Sequence, residues 1–526
     1  MNVELPEAIR AHLPVLVVIL PLFGGLLSLF TSLFQRGGGA VAWLWSCIVT
    51  GAMLICSAAM LVEVRGRDTP LIYRLGSWPE EYGIGYSIDT LNAYVILVVA
   101  IIAFLTTIYA KQSVASEIPR DRHHLFYSVW LLAIAGLVGI TATGDTFNIY
   151  VLLEISSLTL YTLVAMGGAR DRRALVAGLK YLILGSIGAT FILLGIGYLL
   201  MLTGTLNMAD MHDQLVRMRE AGELANNRTV FVSFAFLMVG LSLKMALFPL
   251  HLWLPNAYTY APSAVSALVA ATATKVGVYM TFRFVFTIYG GVYDSSQDLA
   301  FLALCACAGI IVSSVTAIRQ TNVKKILAYS SVGQIAYIVL GFSLANESGV
   351  MASVIHIFNH ALIKCGMFMA VGAVALRLGG GLGGGSDTDG RSGVKVDDFK
   401  GIGRKMPWTM AAFTVGGCGL IGVPLTVGFI SKWYLVESAM QKGYWGVALV
   451  VLLGGLLALI YVWRLVEIIW FGQPDDPDKQ IAEAPLTMLI PLWILIGASV
   501  VFGIDASWTA ETARAAANLL LNGGLL

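Results

Sequence analysis

The sequence has few charged residues and few cysteines. Only 12% of its 526 residues are Asp, Glu, Lys or Arg, which is about half the usual share in soluble domains. The net charge of +2 is too small to indicate a nucleic-acid or acidic partner. The six cysteines show no CxxC spacing, so neither a disulfide framework nor an iron–sulfur site is predicted. These absences argue against an ordinary soluble enzyme and against a nucleic-acid-binding protein.

Long apolar stretches occupy most of the chain instead. Hydrophobic residues make up 58% of it, and stretches of about 20 such residues are long enough to cross a bilayer core. Backbone in lipid must satisfy its own hydrogen bonds, and the alternating pattern of a membrane barrel is absent, so the stretches are predicted to be helices. The first apolar run is read as a full span and not as a cleavable signal peptide. The sequence therefore predicts an all-α polytopic membrane protein.

About fourteen transmembrane helices are expected. They are predicted at 13–34, 41–62, 86–110, 124–142, 145–167, 174–202, 229–254, 261–289, 298–318, 325–345, 350–378, 406–440, 443–471 and 485–504. One set of alternate loops is rich in Lys and Arg, which predicts that this side is cytoplasmic and that both termini are external. The glycine-rich run at 379–393 lacks the ending of a phosphate loop and is predicted to be a flexible cytoplasmic linker.

Ionisable residues inside the predicted spans are the strongest functional signal. Glu154 lies about ten residues from either end of its span, where burial of a carboxylate costs several kcal/mol and requires a partner. A purely structural reading would pin it to Ser156, Ser157 or Tyr161. Lys244 lies late in span seven, but the apolar run MALFPLHLWLP follows it, which disfavours a side chain that reaches the interface.

Prolines next to these residues predict broken helices. Pro249 and Pro255 flank His251 in span seven, and Pro424 interrupts span twelve ahead of Lys432. Each proline leaves the carbonyl four residues earlier without its helical donor, so open carbonyls are expected at Met245, His251 and Leu420. Two proline-broken helices with lysines, one in each half of the chain, are typical of transporters with inverted repeats.

The remaining charged groups follow helical spacing. Lys275 shares a helical face with Tyr279 and Arg283, and His356, His360 and Lys364 recur at intervals of four in span eleven. His356 and His360 alone do not complete a zinc site, and facing histidines for haem are few. No metal or other cofactor is therefore expected.

Five ordered motifs carry a resemblance to a known family. They read GDTFNIYVLLEISSLTLYTLVA, LSLKMALFPLHLWLPNAYTYAPSAVSALVAATATKVGVY, QTNVKKILAYSSVGQIAYI, HIFNHALIKCGMF and GVPLTVGFISKWYL. Over residues from about 85 to 470, the chain resembles the antiporter-like membrane subunits of respiratory complex I, membrane-bound hydrogenases and Mrp cation/proton antiporters. Within this family it most resembles the D subunits of Mrp complexes. Gln334 stands where several relatives have a histidine, and Lys432 where one complex I homologue has a glutamate.

The resemblance implies an architecture and an order of proton transfer. Helices 1–3 fill residues 1–123, two inverted five-helix repeats fill 124–289 and 298–471, and the last helix and tail fill 472–526. By analogy, Glu154 pairs with Lys244, Lys275 leads toward the centre, and His360 or Lys364 continues to Lys432.

These observations predict a proton-translocating subunit of a multisubunit Na⁺/H⁺ antiporter in a bacterial plasma (inner) membrane. Its expected partners are other membrane subunits, and protons and Na⁺ are the expected transported ions. Three alternatives stay open: a proton-pumping subunit of a quinone oxidoreductase or hydrogenase complex, a partner of an inorganic-carbon uptake protein, and a stand-alone solute transporter. No motif in the chain binds NADH, a flavin or a cluster, so any redox chemistry would belong to partner subunits.

Overall fold

The computed structural model describes residues 7–33, 38–65, 67, 69–79, 83–224, 227–292, 296–379, 395–474 and 480–521, most of which are helical. The helices are α1 Glu7–Ser28, α2 Gly38–Arg65, α3 Thr90–Glu117, α4 His123–Ala142, α5 Thr146–Ala165, α6 Arg173–Thr203, α7 Met208–Glu220, α8 Arg228–Met245, α9 Leu254–Tyr260, α10 Ser263–Ala271, α11 Ala273–Phe282, α12 Ser296–Ile318, α13 Val323–Ser343, α14 Glu347–Arg377, α15 Ile402–Lys405, α16 Pro407–Ile421, α17 Val427–Gln441, α18 Trp445–Phe471, α19 Leu486–Ile504 and α20 Ser507–Leu521. The glycine-rich linker expected at 379–393 lies outside the described residues, apart from Gly379.

The membrane-spanning character of the chain is clear from its helices. Thirteen helical segments of the described residues are long and apolar enough to cross a membrane. The further span expected at 406–440 is present as two helices of 15 residues each, α16 and α17. The prediction of an all-α polytopic membrane protein is therefore confirmed.

A short β-hairpin connects α2 to α3 and was not predicted. Strands β1 (Leu71–Arg74) and β2 (Gly85–Ile88) pair antiparallel, with Leu71 opposite Ile88. Each strand has only four residues, which is too short for a periodic pattern to stand out between two apolar spans.

The two proline-broken helices occur where they were predicted. In span seven, α8 ends at Met245, Ala246 has a left-handed φ of 60°, and the helix resumes as α9 at Leu254. In span twelve, Gly422 and Leu425 between α16 and α17 have φ of 90° and 71°. Positive φ is costly for residues other than glycine, so both breaks are held in place by the packing around them.

A third break divides span eight and was not predicted. Thr272 separates α10 from α11 with φ of −122° and ψ of −59°, and no proline stands at this position. The same span ends in a π-helical turn, Arg283–Ile288. Both departures from α-helix lie on the helix that carries Lys275.

Helix α14 forms the centre of the protein. It packs against α3, α10, α13, α16, α17, α19 and α20, and its most apolar 18-residue window is completely buried. By contrast, α2, α6, α12 and α18 expose large apolar side chains such as Val62 and Met201. The polar stripe predicted on span eleven therefore lies in the protein interior and does not face the surroundings.

Candidate functional site

Glu154 lies in the middle of α5, a helix whose first turn is capped by the Asp145 side chain at the Asn148 amide. Its Oε1 atom is buried and has no hydrogen-bond partner among the described residues. A buried, unpartnered carboxylate oxygen is costly unless water or a charge satisfies it. Glu154 therefore requires water or a neighbouring charge at this oxygen.

Ser157 connects this region to Lys244. The Lys244 ammonium, in the last turn of α8, donates a hydrogen bond of 2.7 Å to Ser157 Oγ, one helical turn from Glu154. Lys244 also interacts electrostatically with Glu154, but the two side chains form no ion pair within 4.0 Å in the described structure. Glu154 and Lys244, paired in the expectation from the resemblance, thus interact electrostatically without direct contact.

The break after Lys244 is more fully hydrogen-bonded than predicted. The His251 carbonyl, expected to be open because of Pro255, accepts from the Leu254 amide at 3.1 Å. That expectation was wrong, because the chain turns tightly there instead of leaving the group exposed. The His251 ring is buried, and its Nδ1 atom has no partner among the described residues.

Lys275 occupies the break in span eight. Its side chain is 1% exposed, and its ammonium donates to the Ala270 carbonyl and, at 3.4 Å, to Thr274 Oγ1. Ala270 belongs to the last turn of α10, where carbonyls lack helical donors. The break at Thr272 therefore supplies the polar partner that a buried lysine requires.

The stripe on α14 brings its three ionisable groups next to Lys275. Lys364 is fully buried and donates to the Leu327 carbonyl at 2.9 Å and to Ser330 Oγ, both on α13. Electrostatic interactions link Lys275 with Lys364 and with His360. Neither ring nitrogen of His360 has a hydrogen-bond partner among the described residues. Such a ring needs water, and this gives the stripe a place for a hydrated link.

His356 joins the stripe to span twelve. Its ring stacks on that of His360, with 6.0 Å between centroids. His356 Nε2 lies 2.9 Å from Gln334 Oε1 and Nδ1 lies 2.7 Å from Ser431 Oγ. Because an amide oxygen only accepts, Nε2 carries the proton in neutral His356 and Nδ1 accepts from Ser431. Ser431 in turn accepts from Asn359 Nδ2 at 3.3 Å.

Lys432 lies beside Ser431 in the break of span twelve. Its ammonium donates to the carbonyls of Leu420 and Ile421, each at 2.8 Å, and lies 4.9 Å from the centre of the Tyr337 ring. The open Leu420 carbonyl predicted from Pro424 is thus present and occupied by the lysine. Gly422 has a positive φ, and a Cβ there would lie 3.0 Å from Lys432 Cδ, so glycine leaves room for the side chain.

The predicted residues fall into two groups. Lys275, His360, Lys364, His356 and Lys432 form one buried group whose members interact electrostatically, and Glu154 with Lys244 forms the other. Among the described residues, no direct hydrogen bond joins Lys244 to Lys275. A proton passing between the groups would need water, and so would several steps within the larger group, where the His356–Ser431 hydrogen bond and the His356–His360 ring contact are the direct links.

Sequence reasoning missed several polar residues of this site. Ser330 and Ser431 were not singled out, and Ser157 was considered only as one possible partner of Glu154 in the purely structural reading, not as a partner of Lys244. Lys324 was counted as a loop charge, yet it is only 3% exposed. The available signal was the hydroxyl residue next to a predicted lysine, as in Ser431–Lys432. Among the described residues, no group of three or more His, Cys, Asp or Glu side chains is placed to hold a metal ion.

Comparisons with known proteins agree on one family. Residues 143–458 match the family model described as "NADH:quinone oxidoreductase/Mrp antiporter, TM". The chain is 39% identical to the N subunit of the NADH-quinone oxidoreductase of Desulforudis audaxviator, covering 94% of this chain and 96% of that protein. It is 27% identical to the D subunit of the Na(+)/H(+) antiporter of Bacillus subtilis, covering 96% and 97%.

A solved structure extends the agreement to the whole fold. A chain of the membrane-bound sulfane sulfur reductase, an archaeal respiratory membrane complex, superposes with a TM-score of 0.84 at 30% identity and covers 97% of each chain. The expected resemblance to the family is therefore confirmed, while its restriction to the D subunits of Mrp complexes is not specific.

Proposed function

Because the chain belongs to the NADH:quinone oxidoreductase/Mrp antiporter membrane family, we propose that it is the proton-translocating membrane subunit of a multisubunit complex. The observation that carries the proposal is the buried series from Lys275 through His360, Lys364 and His356 to Lys432. Ionisable groups inside a membrane are expensive and are usually found on ion pathways. Structural packing alone does not account for three lysines and two histidines in one buried line.

The first step of the proposed mechanism is electrostatic. Glu154 and Lys244 interact electrostatically, and Lys244 is held by Ser157 Oγ, one helical turn from Glu154. At an effective dielectric of about 20, two charges at 4 Å interact by roughly 4 kcal/mol. A movement that changes the distance between Glu154 and Lys244 therefore changes which charge state of Lys244 is favoured, and this change acts on Lys275.

The later steps combine the hydrogen bonds of the site with water. A proton that reaches His360 passes through water to His356, then to the Ser431 hydroxyl, and from there through water to Lys432. The carbonyls of Leu420 and Ile421 hold the ammonium form of Lys432. Release of the proton to the far side requires Lys432 to leave these carbonyls, so the break in span twelve acts as the exit gate.

Two parent complexes are candidates, each favoured by a specific observation. A Na⁺/H⁺ antiporter is favoured by the full-length match to the D subunit of the Bacillus subtilis antiporter. A redox-driven complex is favoured by the higher identity, 39%, to an N subunit of NADH-quinone oxidoreductase. In both, this chain moves protons, its partners are other membrane subunits, and any redox chemistry or cation binding by partners lies outside it.

The proposed architecture and orientation complete the assignment. Two inverted repeats, 124–289 and 298–471, are supported by the break between α8 and α9 in one and between α16 and α17 in the other, each with a lysine beside it. We place the chain in a bacterial plasma membrane with both termini external, on the basic content of the alternate loops.

The test is purification of the native complex, identification of its subunits and reconstitution into liposomes with an internal pH dye. Proton movement driven by a Na⁺ pulse supports the antiporter, and movement driven by oxidation of an electron donor supports the redox complex. Lys364→Gln is expected to lower either signal about 100-fold, the scale of a lost proton-transfer group, while Lys442→Gln, at an exposed position after α17, leaves it unchanged. A Lys364→Gln complex that assembles and transports like wild type overturns the proposal.

A further inference from the structure

Lys324 is a buried lysine that the proposed pathway does not yet use. It is the second residue of α13, which begins directly after the capping residue Asn322, and it lies at the end of its span. Its ammonium donates to the Ala261 carbonyl at 3.2 Å and to Ser266 Oγ at 3.4 Å. The next residue, Lys325, is only partly buried. The two neighbours therefore differ in environment although they are chemically identical.

A buried ion cluster surrounds Lys324. Arg170 lies 3.2 Å from Glu117 Oε2, and the same oxygen accepts from the Ser263 amide at 2.9 Å. Glu117 Oε1 accepts from Ser113 at 3.1 Å. Lys324 interacts electrostatically with both Glu117 and Arg170. Glu117, Arg170 and Lys324, called here the uptake cluster, thus balance two positive charges against one carboxylate.

The uptake cluster lies at the ends of its helices, and one of its members is partly exposed. Arg170 belongs to the connection between α5 and α6, and its side chain is 14% exposed. Glu117 ends α3 and Lys324 begins α13, so all three lie on the face that carries the α3–α4, α5–α6 and α12–α13 connections. Glu117 contacts the first residue of α10 through the Ser263 amide, and Lys324 contacts Ser266 one turn further along this helix.

Two rows of hydrogen-bonding groups, one on α10 and one on α13, lie between Lys324 and the central lysines. On α10, Ser266 lies one turn before Ala270, whose carbonyl accepts from Lys275. On α13, Leu327 and Ser330 follow Lys324 by three and six residues, and both accept from Lys364. One helical turn advances about 5.4 Å, a gap that one or two waters span. Lys324 therefore lies one turn from Leu327 and nearly two turns from Ser330, the partners of Lys364, and its own partner Ser266 lies one turn from Ala270, the partner of Lys275.

From this placement we propose that Lys324 is the proton-uptake site that feeds Lys275 and Lys364 from the face carrying the α3–α4 and α5–α6 connections. The inference rests on the proposed function. The neutral Lys324 amine takes a proton from water near Arg170, and its ammonium then releases a proton through water or the Ser330 hydroxyl to the neutral amine of Lys364. Between these events, the carboxylate of Glu117 stabilises the charged form of Lys324. The positive charge of Arg170 weakens this stabilisation.

The alternative role of Lys324 is structural, a clamp that stabilises the packing of α3, α10 and α13. Substitution of Lys324 by arginine distinguishes the two roles. Lys324→Arg keeps the charge and the donors but cannot release a proton at any physiological pH. An uptake site fails with arginine, whereas a clamp tolerates it. Lys324→Gln removes the proton carrier with little change in volume, and Lys325→Gln is the matched control on the adjacent residue.

The experiment measures proton flux of the reconstituted full complex for these three variants and for Lys364→Gln, after assembly is checked by gel filtration. We expect both Lys324 variants to lose about 10-fold or more in flux, and Lys325→Gln to stay within about twofold of wild type. Glu117→Gln keeps the shape of the cluster and replaces the Lys324 variants in the experiment if these do not assemble. We expect it to lower proton flux several-fold.

The outcomes separate this inference from the proposed function. Wild-type flux with Lys324→Arg, or with an assembled Glu117→Gln complex, overturns the uptake site and shows that Lys324 has only the structural role. If Lys364→Gln loses flux in the same experiment, the proposed pathway still stands. Wild-type flux with Lys364→Gln overturns the pathway, and the uptake site with it.

Discussion

Lys432 donates a 2.8 Å hydrogen bond to the carbonyl oxygen of Leu420, across the break that separates α16 from α17. The carbonyl is free because Pro424, four residues later, has no amide hydrogen to donate. A lysine held by backbone carbonyls has no carboxylate that fixes its charge. Its charge state therefore responds to neighbouring groups, here His356, with which it interacts electrostatically.

This contact predicts that Lys432 must be able to lose its proton. Lys432→Gln is expected to lower proton flux by about 100-fold, and Lys432→Arg by a similar factor, because arginine keeps its proton. Flux of the reconstituted complex measures both. Lys442→Gln, at an exposed position in the loop that follows α17, is the control and should leave proton flux unchanged. Full flux with Lys432→Arg would show that only a positive charge is required at this position.

Ser157 is predicted to transmit the state of Glu154 to Lys244. Ser157→Ala removes a hydrogen bond to a charged group, which is worth about 1.5–3 kcal/mol, so we expect flux to fall by at least 10-fold. Ser157→Thr keeps the hydroxyl and should retain most of the flux. Thr162→Ala is the control, because this exposed hydroxyl on the same helix bonds only to the Leu158 carbonyl. Unchanged flux in the Ser157→Ala complex would mean that Glu154 acts on Lys244 without this hydroxyl.

Gln334 is predicted to position His356 for proton transfer through Ser431. Gln334→Leu removes the acceptor of the Nε2 proton and frees the ring to change tautomer, so a several-fold loss of flux is expected. Ser431→Ala removes the other partner and should cost about 10-fold. Because residues of one network couple by about 0.5–3 kcal/mol, the double variant should lose less than the product of the two single losses. Strictly multiplicative losses would contradict a shared role, and Gln441→Leu on an exposed surface is the control.

The sequence was sufficient wherever one residue determines its local environment. Pro424 was enough to predict the break and the open Leu420 carbonyl that Lys432 now occupies, and spacing by four was enough to place His356, His360 and Lys364 on one face. It was insufficient where two helices meet. Nothing in the local pattern around Ser157 shows that Lys244, 87 residues away, will contact it.

Lys324 and Thr272 show two further limits of the sequence. Lys324 stands at a span end, where lysines are usually solvated, and only the tertiary approach of Ala261 and Ser266 shows that it is buried. The break at Thr272 involves neither proline nor glycine, so propensity gives no warning of it. It is stabilised by the surrounding helices and by Lys275, which donates to the carbonyl of Ala270.

The ion pair between Asp89 and Arg283 gives a prediction on stability. Arg283 Nη2 lies 2.6 Å from Asp89 Oδ2, and both side chains are almost fully buried. Asp89→Asn keeps a good N-cap for α3 but leaves the Arg283 charge unpaired, which should destabilise the protein by roughly 3–5 kcal/mol. Arg283→Met should cost a similar amount by leaving Asp89 unpaired. Thermal unfolding of the purified complex measures both losses.

The double variant tests the physical reason for that prediction. Asp89→Asn with Arg283→Met removes both charges together, so it should be more stable than either single variant. Asp121→Asn provides the control: its 3.9 Å contact with Arg122 is largely exposed, and such pairs contribute about 0–1 kcal/mol. If the double variant lost as much stability as the two single variants added together, the cost would come from contacts that each side chain makes separately, such as the hydrogen bonds of Arg283 to Tyr279 and Thr287 and those of Asp89 to Asn92. The unpaired charge would then not be the cause, because removing both charges leaves none unpaired.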